Sequence, residues 1–386
     1  MQPAVLIGGP PHAGKSVLTY SLTRALRTYG VEHYVMRACP DGEGHWSQET
    51  LRQVAEAIRQ KGVYTDEFVR RVCADIQRRR IPFLIDVGGL PQGDQFQIFQ
   101  CCTHAILLQH RVPSQRDWQS IVAEYRLELV ADLISDLDGV PTLDACEPIV
   151  RGTLVGLHRG TTTRDEPFES LVRRLISLFN APTIRMLSKV YAAQARTEQV
   201  LNLPQILNLL APGQLDWTPA ILPRLLAEVP ARLPLSVYGR AAHWVCTALA
   251  LHIHPATFYQ FDARLGWLAP LCLQIGLAAH PDISFRLEQR EDFMLLDVHL
   301  CTANLDYDQL RDLNAPRLPV QQGLVISGKL PLWLASSLAI SYRESGLPWI
   351  AGYYPQSQGA IVVFSRVPTH RPGDCIALTL KNEKDG

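Results

Sequence analysis

The sequence predicts an α/β domain, a parallel sheet flanked by helices, followed by two tandem small α+β domains. Three observations carry this. Apolar runs of buried-strand type alternate with helical spacing over the first half of the chain. A glycine-rich loop, Gly9 to Ser16, separates the first such run from a helical pattern. Residues 236–266 match residues 326–359 at a nearly constant offset, which marks an internal repeat.

At 386 residues the chain is expected to hold two or three domains, and 47% hydrophobic content supplies their cores. The 37 basic and 37 acidic residues cancel. That balance excludes a bulk electrostatic footprint for long double-stranded nucleic acid, but not a small phosphorylated ligand held by local arginines. Nine cysteines are scattered without a CxxC, and Cys101-Cys102 is the only close pair. Metal–thiolate and secreted-disulfide readings are poor on that count. The start MQPAVLIGGPP lacks the basic region of a signal peptide, and no run of about 18 apolar residues occurs. The expectation is a cytoplasmic protein without a membrane span.

The first domain is expected over residues 1–195. Residues 4–7 form an apolar strand, and GPPHAGKS follows before the helical VLTYSLTRALRTYG. GxxxxGKS between strand and helix is the context nucleotide binding requires: glycines let the backbone wrap a phosphate with its N–H groups inward. Lys15 would reach the β and γ phosphates of ATP and Ser16 would hold Mg²⁺, with Gly9 and Gly14 shaping the loop. A second buried strand, 81–86, ends in Asp86, the acid that would orient the Mg²⁺ shell. Residues 105–109 and 149–157 read as further strands and 167–179 as a helix. Arg111 and Arg116 follow a strand and are weak phosphate contacts. Asp41, Glu43 and His45 sit in a Gly-rich loop, a pocket lining or a solvated segment. This part resembles P-loop ATPases and small-molecule kinases; no arginine finger stands out, and the phosphoryl acceptor is open.

The repeat spans 196–282 and 283–386. Gly239-Arg240, Trp244 and Leu249-Ala250 fall over Gly328-Lys329, Trp333 and Leu338-Ala339 at an offset of 89. Phe261 falls over Tyr353 at 92, and Leu215-Asp216-Trp217 over Leu305-Asp306-Tyr307 at 90. Trp244 and Trp333 read as helix-face core residues. Residues 258–261 are expected to form a hairpin with 271–275. The strand at 293–300 reads as missing or altered in the first copy.

The runs GLVISGKLPLWLASSLAISY, WIAGYYP, GAIVVFS and RPGD resemble the CRISPR-associated "Csx three" ring nucleases of type III systems. With its N-terminal P-loop the whole chain is similar to the fused, AAA-annotated form. The resemblance covers about residues 201–380 as two copies. It implies binding and cleavage of a cyclic oligoadenylate, chiefly the four-membered ring. It also implies association as dimers or dimers of dimers, and manganese-dependent activity on RNA ends. The family places a His at the helix end and an Asp with an Arg two residues on in the hairpin turn, in a YDPRLG-like run followed by SH. The first copy has His254 and FDARLG with Asp262 and Arg264; the second has Arg343, YYPQSQG and, at the last His, Arg366. The first copy therefore reads as catalytic and the second as degenerate but basic.

The chemistry asks for the same groups. A ribose 2′-OH attacks the adjacent phosphate; His supplies a base of near-neutral pKa and Arg supplies charge on the phosphorane. The assignment is His254 as general acid or base, with His252 a weaker alternate. Asp262 is orienter or manganese ligand, and Arg264 and Arg240 are phosphate clamps. Lys329, Arg343 and Arg366 hold the ring from the second copy. The alternatives are a messenger sensor that switches the P-loop domain with little or no cleavage, and a P-loop kinase whose tail only oligomerises.

Overall fold

The structure is a computed structural model that describes residues 2–39, 64–89, 91–111, 118–158, 163–180, 186–277, 280–301, 305–319 and 322–378. Asp41, Glu43, His45 and Arg116 lie outside the described residues. The chain divides into two compact units: the described residues up to Leu187, with Ala263–Leu265, and those from Ser188 onward.

The first unit is built on a seven-stranded sheet. Strand β1 (Ala4–Gly8) is buried along its whole length, as its unbroken apolar run requires. It leads into α1 (Lys15–Thr28), where Leu18, Leu22 and Leu26 bury one stripe at four-residue spacing. Then come β2 (Tyr34–Arg37), α2 (Asp66–Arg78), β3 (Phe83–Asp86), α3 (Gln97–Gln100), β4 (His104–His110) and α4 (Trp118–Glu124). Strands β5 (Glu128–Asp136), β6 (Thr142–Ala145) and β7 (Val150–Val155) and helix α5 (Glu166–Phe179) complete the unit. Helix α2 is capped by Thr65, which accepts from Phe68 N at 3.1 Å, and α5 by Asp165, which accepts from Phe168 N at 3.0 Å. The strand order is β2-β3-β1-β4-β5-β7-β6; each neighbouring pair is parallel except β6–β7 at the edge. This is the mixed α/β architecture expected. Its core joins Val5, Ile7, Leu18, Leu84, Ile106 and Leu171. Because β3 lies directly beside β1, the acid ending β3 comes next to the loop leaving β1.

The second unit begins in α6 (Leu187–Ala193). It continues through β8 (Gln199–Asn202), α7 (Leu203–Leu210), α8 (Leu222–Glu228), β9 (Leu235–Tyr238), α9 (His243–Ile253), β10 (Phe258–Asp262) and β11 (Gly266–Leu268). Short β12 (Gln274–Gly276) follows, then β13 (Ile283–Gln289), β14 (Phe293–Leu300), β15 (Asn314–Pro316), β16 (Gly323–Ser327), α10 (Leu332–Glu344), β17 (Trp349–Tyr354), β18 (Gly359–Ser365) and β19 (Cys375–Ala377). One sheet runs β11-β10-β9-β8 and the other β13-β14-β16-β17-β18-β19.

The ladders reproduce the repeat. Val237 pairs with Gln260 as Ile326 pairs with Gly352, which carries the offset of 89 on one strand and 92 on the next. Leu201 pairs with Val237 as Leu296 pairs with Ile326. The strand β14 therefore has a first-copy counterpart, β8, altered and not missing; β8 is half as long and its residues are only partly buried, so its apolar signal is weak. The partner of β10 is β11, not 271–275: the tight turn at 263–265 closes the hairpin first, and β12 pairs instead with β15. Helices α9 and α10 pack on each other, and Trp244, Leu249, Leu296, Trp333 and Leu338 belong to one apolar cluster. Both tryptophans are fully buried, as expected of core residues; truncating either to Ala would cost about 3–5 kcal/mol.

Candidate functional sites

In the first unit, Gly9 and Gly14 both have positive φ, 144° and 85°. A Cβ on Gly9 would lie 1.9 Å from Leu108 O, so only glycine fits the turn out of β1. Gly14 caps α1 without a side-chain hydrogen bond, leaving the first-turn N–H groups to the loop. Lys15 is buried, and its Nζ donates to Gly9 O at 3.0 Å and Pro10 O at 2.7 Å. Burial pushes its pKa down to about 8, against the pull of Asp86 and with the push of Arg37. Asp86 is buried at the end of β3. Arg37, the last residue of β2 and in register with Asp86, donates from Nη1 to Ser16 Oγ at 2.7 Å and to Asp86 Oδ2. Gly9, Gly14, Lys15, Ser16 and Asp86 thus come together. Arg37 joins them unannounced, since a lone Arg closing a four-residue strand carries no motif. A narrow crevice lined by Ala38, Tyr64, Val87, Gly88, Pro91 and Phe99 lies beside Asp86. Arg111 faces away into an ion pair, Nε to Asp136 Oδ2 at 2.7 Å.

The second-unit candidates fall on opposite edges of the sheets. In a βαβ unit the helix runs back, so the helix end and the next strand's end lie apart. His254 closes α9, and β10 then spans about 13 Å to Asp262 at ~3.3 Å per residue. Asp262 is therefore not the residue that orients His254 within the chain. That residue is Glu344 at the end of α10: its Oε1 accepts from His254 Nε2 at 2.8 Å and lies 3.7 Å from Arg343 Nη1. Arg366 Nη2 donates to Arg343 O at 2.8 Å. The two guanidinium groups lie over the Phe364 ring at 5.0 and 5.6 Å. Burial lowers the Arg343 pKa, Glu344 raises it, and Arg366 and Arg232 lower it further. The enclosed Arg343 Nε has no hydrogen-bond acceptor among the described residues. His252 is committed elsewhere, its Nε2 2.8 Å from Val229 O.

At the other edge stand Arg240 and Asp262 in the first copy and Lys329 in the second, each just past or at a strand end. Arg264 does not join them. It belongs to the turn counted with the first unit, is buried, and pairs from Nη1 with Asp75 Oδ2 at 3.1 Å. Asp75 also meets Arg78 Nη2 at 3.3 Å from Oδ1, so one carboxylate serves two guanidinium groups. A pair that sequence reasoning missed lies beside Lys329: His299 Nε2 sits 2.8 Å from Asp297 Oδ2 on β14. Burial pushes the Asp297 carboxyl up, but His299, the Ser327 hydroxyl and Arg286 outweigh it and hold it below the usual carboxylate range. The two residues are separated by one along a strand, so they share a face. That i, i+2 spacing was the available signal.

Residues 298–377 match the family model described as CRISPR-associated protein (Cas_csx3). The matched segment runs from the end of β14 to β19. Of the candidates it includes His299, Lys329, Arg343 and Arg366; His254 and Asp262 lie before it. Among the described residues no helix is long and apolar enough to cross a membrane.

Proposed function

We propose that the chain is a CRISPR-associated enzyme that binds a cyclic oligoadenylate, cyclic tetra-adenylate first, through its second unit and cuts it, while its first unit binds ATP with Mg²⁺. The observation that carries the ring reading is the cluster at the two helix ends. It joins His254 of one copy through Glu344 to Arg343 of the other, and the Arg343 carbonyl accepts from Arg366. His254 takes the proton of a ribose 2′-OH, the oxygen attacks the adjacent phosphorus, and the P–O5′ bond breaks, the 5′ oxygen taking up a proton. Arg343 and Arg366 bind the phosphate oxygens as charge builds on them. Asp262 and Arg240, at the far edge, reach a ring held at His254 only from a second copy, so a homo-oligomer, dimer or higher, belongs to this reading. Among the described residues no three His, Cys, Asp or Glu gather as a metal cluster.

The nucleotide reading rests on Lys15 inside a loop of positive-φ glycines and on Ser16 and Asp86 lying close enough to share one cation. Those residues fit Mg²⁺ on a nucleotide. The ion would neutralise phosphate charge, Lys15 would contact the terminal phosphates, and the first-turn amides of α1 would cradle them.

The separation of Asp262 from His254 favours a second reading, a messenger sensor that acts on the first unit with little or no cleavage. Radiolabelled cyclic tetra-adenylate incubated with wild type, His254→Ala, Asp262→Ala and Lys15→Ala decides between them. Linear product from wild type and none from His254→Ala supports the enzyme. Tight binding without product supports the sensor. No binding leaves a P-loop protein whose tail has another role.

A further inference from the structure

We propose that Arg37 holds the cation position of the nucleotide site and must be displaced when Mg²⁺ arrives with its nucleotide. The proposal rests on the nucleotide reading of the first unit and deepens it. Three features of the site lead there. The parallel register of β2 and β3 sets Arg37 opposite Asp86, at the strand ends that face the glycine loop. One nitrogen, Nη1, reaches both Ser16 Oγ and Asp86 Oδ2, the two groups that would take the metal. The Arg37 and Asp86 side chains are 15% and 5% exposed, so this is an enclosed pair and not a surface contact.

The electrostatics give the device its sense. A buried carboxylate without a counter-charge is costly, and Arg37 supplies that charge while no metal is bound. A divalent ion settling between Ser16 and Asp86 would repel a guanidinium sharing the same oxygens. The guanidinium therefore leaves as the metal enters. Without metal it remains, and its charge offsets phosphate repulsion from Asp86. Arg37 thus makes the site less dependent on Mg²⁺: it strengthens metal-free binding and opposes metal-bound binding.

Calorimetric titration of the full chain with ADP, once in Mg²⁺ and once in EDTA, tests this through the ratio of the two dissociation constants. In Arg37→Gln the EDTA value should rise and the Mg²⁺ value fall. The ratio should then exceed that of wild type by on the order of tenfold, the scale of one charge-assisted contact. Asp86→Asn, which removes the shared carboxylate, should bring the ratio toward one. If Arg37→Gln does not fold, Arg37→Lys replaces it: the ammonium keeps the charge but lacks the planar guanidinium's fixed donor geometry and its reach, and the ratio should move the same way by less. An unchanged or smaller ratio in the folded variant overturns the proposal, because a merely structural arginine would move both constants together. Absence of ADP binding by wild type in both buffers is a different result, and it removes the nucleotide reading along with the proposal.

Discussion

His254 Nε2 and Glu344 Oε1 meet at 2.8 Å across a separation of ninety residues. The contact exists because the two copies pack helix against helix, so the end of α9 abuts the end of α10. Since His254 falls over Arg343 in the repeat, the pair sits where the two copies exchange equivalent positions. His254 is thus held by a residue of the other copy.

That arrangement predicts a graded loss of ring cleavage. His254→Ala should lower the rate by about 10²–10⁴, the usual worth of a general acid or base. Glu344→Gln keeps a hydrogen-bonding group but loses the carboxylate, and should lower kcat by about tenfold with KM little changed. Single-turnover assays on cyclic tetra-adenylate separate the two. A rise in KM alone for Glu344→Gln would make the residue a ring contact and not a positioning group.

The Asp297–His299 pair predicts that the second copy is not inert. The ladder sets Asn202, which only caps α7, and Pro204 where the second copy has Asp297 and His299. Each copy thus keeps a different His. If the ring or a linear product reaches this edge, His299→Ala and Asp297→Asn should slow a later cut, leaving the first turnover unchanged. Product length on a denaturing gel reads this directly; identical product ladders for wild type and both variants would show the pair to be structural.

How much of this was legible in the sequence depends on the range of the signal. Lys15 and Ser16 were legible because the loop is contiguous, and Asp86 because an apolar run stops at an acid. Arg37 was not, since its meaning comes from strand order: β2 beside β3 is a tertiary fact. The repeat was legible in Gly239/Gly328 and Trp244/Trp333, yet not the partition of its residues between two edges. The family resemblance grouped His254, Asp262 and Arg264. The strand between them carries Asp262 away, and Arg264 pairs with Asp75.

Thiol chemistry offers a check on the first unit that is independent of any ligand. A hydrogen bond from Cys73 lowers the Cys101 pKa to about 7 against the upward push of burial, with Gln77 Nε2 3.5 Å from the sulfur and Arg79 nearby. Burial instead pushes the Cys102 and Cys246 thiols well up. The thiolate is the reactive form, so Cys101 should alkylate with iodoacetamide along a curve rising through about pH 7. Its buried neighbour Cys102 should stay unmodified in the folded chain. Peptide mass mapping across pH identifies the residue. A Cys102 adduct preceding Cys101 would contradict the packing.

Acid should weaken both units through one enclosed histidine each. In the first unit, Nδ1–H of His33 donates to Val31 O at 2.9 Å, while its Nε2 has no partner among the described residues. Burial lowers its pKa from 6.5 to about 4, and burial alone does the same for His243 at the start of α9. The folded values lie below the unfolded ones. Between pH 6.5 and about 4 the unfolded chain therefore binds more protons, and stability falls as pH falls. The contribution is complete above the upper value and is lost on the way to the lower, at no more than about 1.4 kcal/mol per pH unit for each ring. Thermal melts taken from neutral pH downward should show the decline, and His33→Gln and His243→Gln should each flatten it in one unit. A melting temperature as steep in acid for both variants as for wild type would assign the acid lability to carboxylates instead.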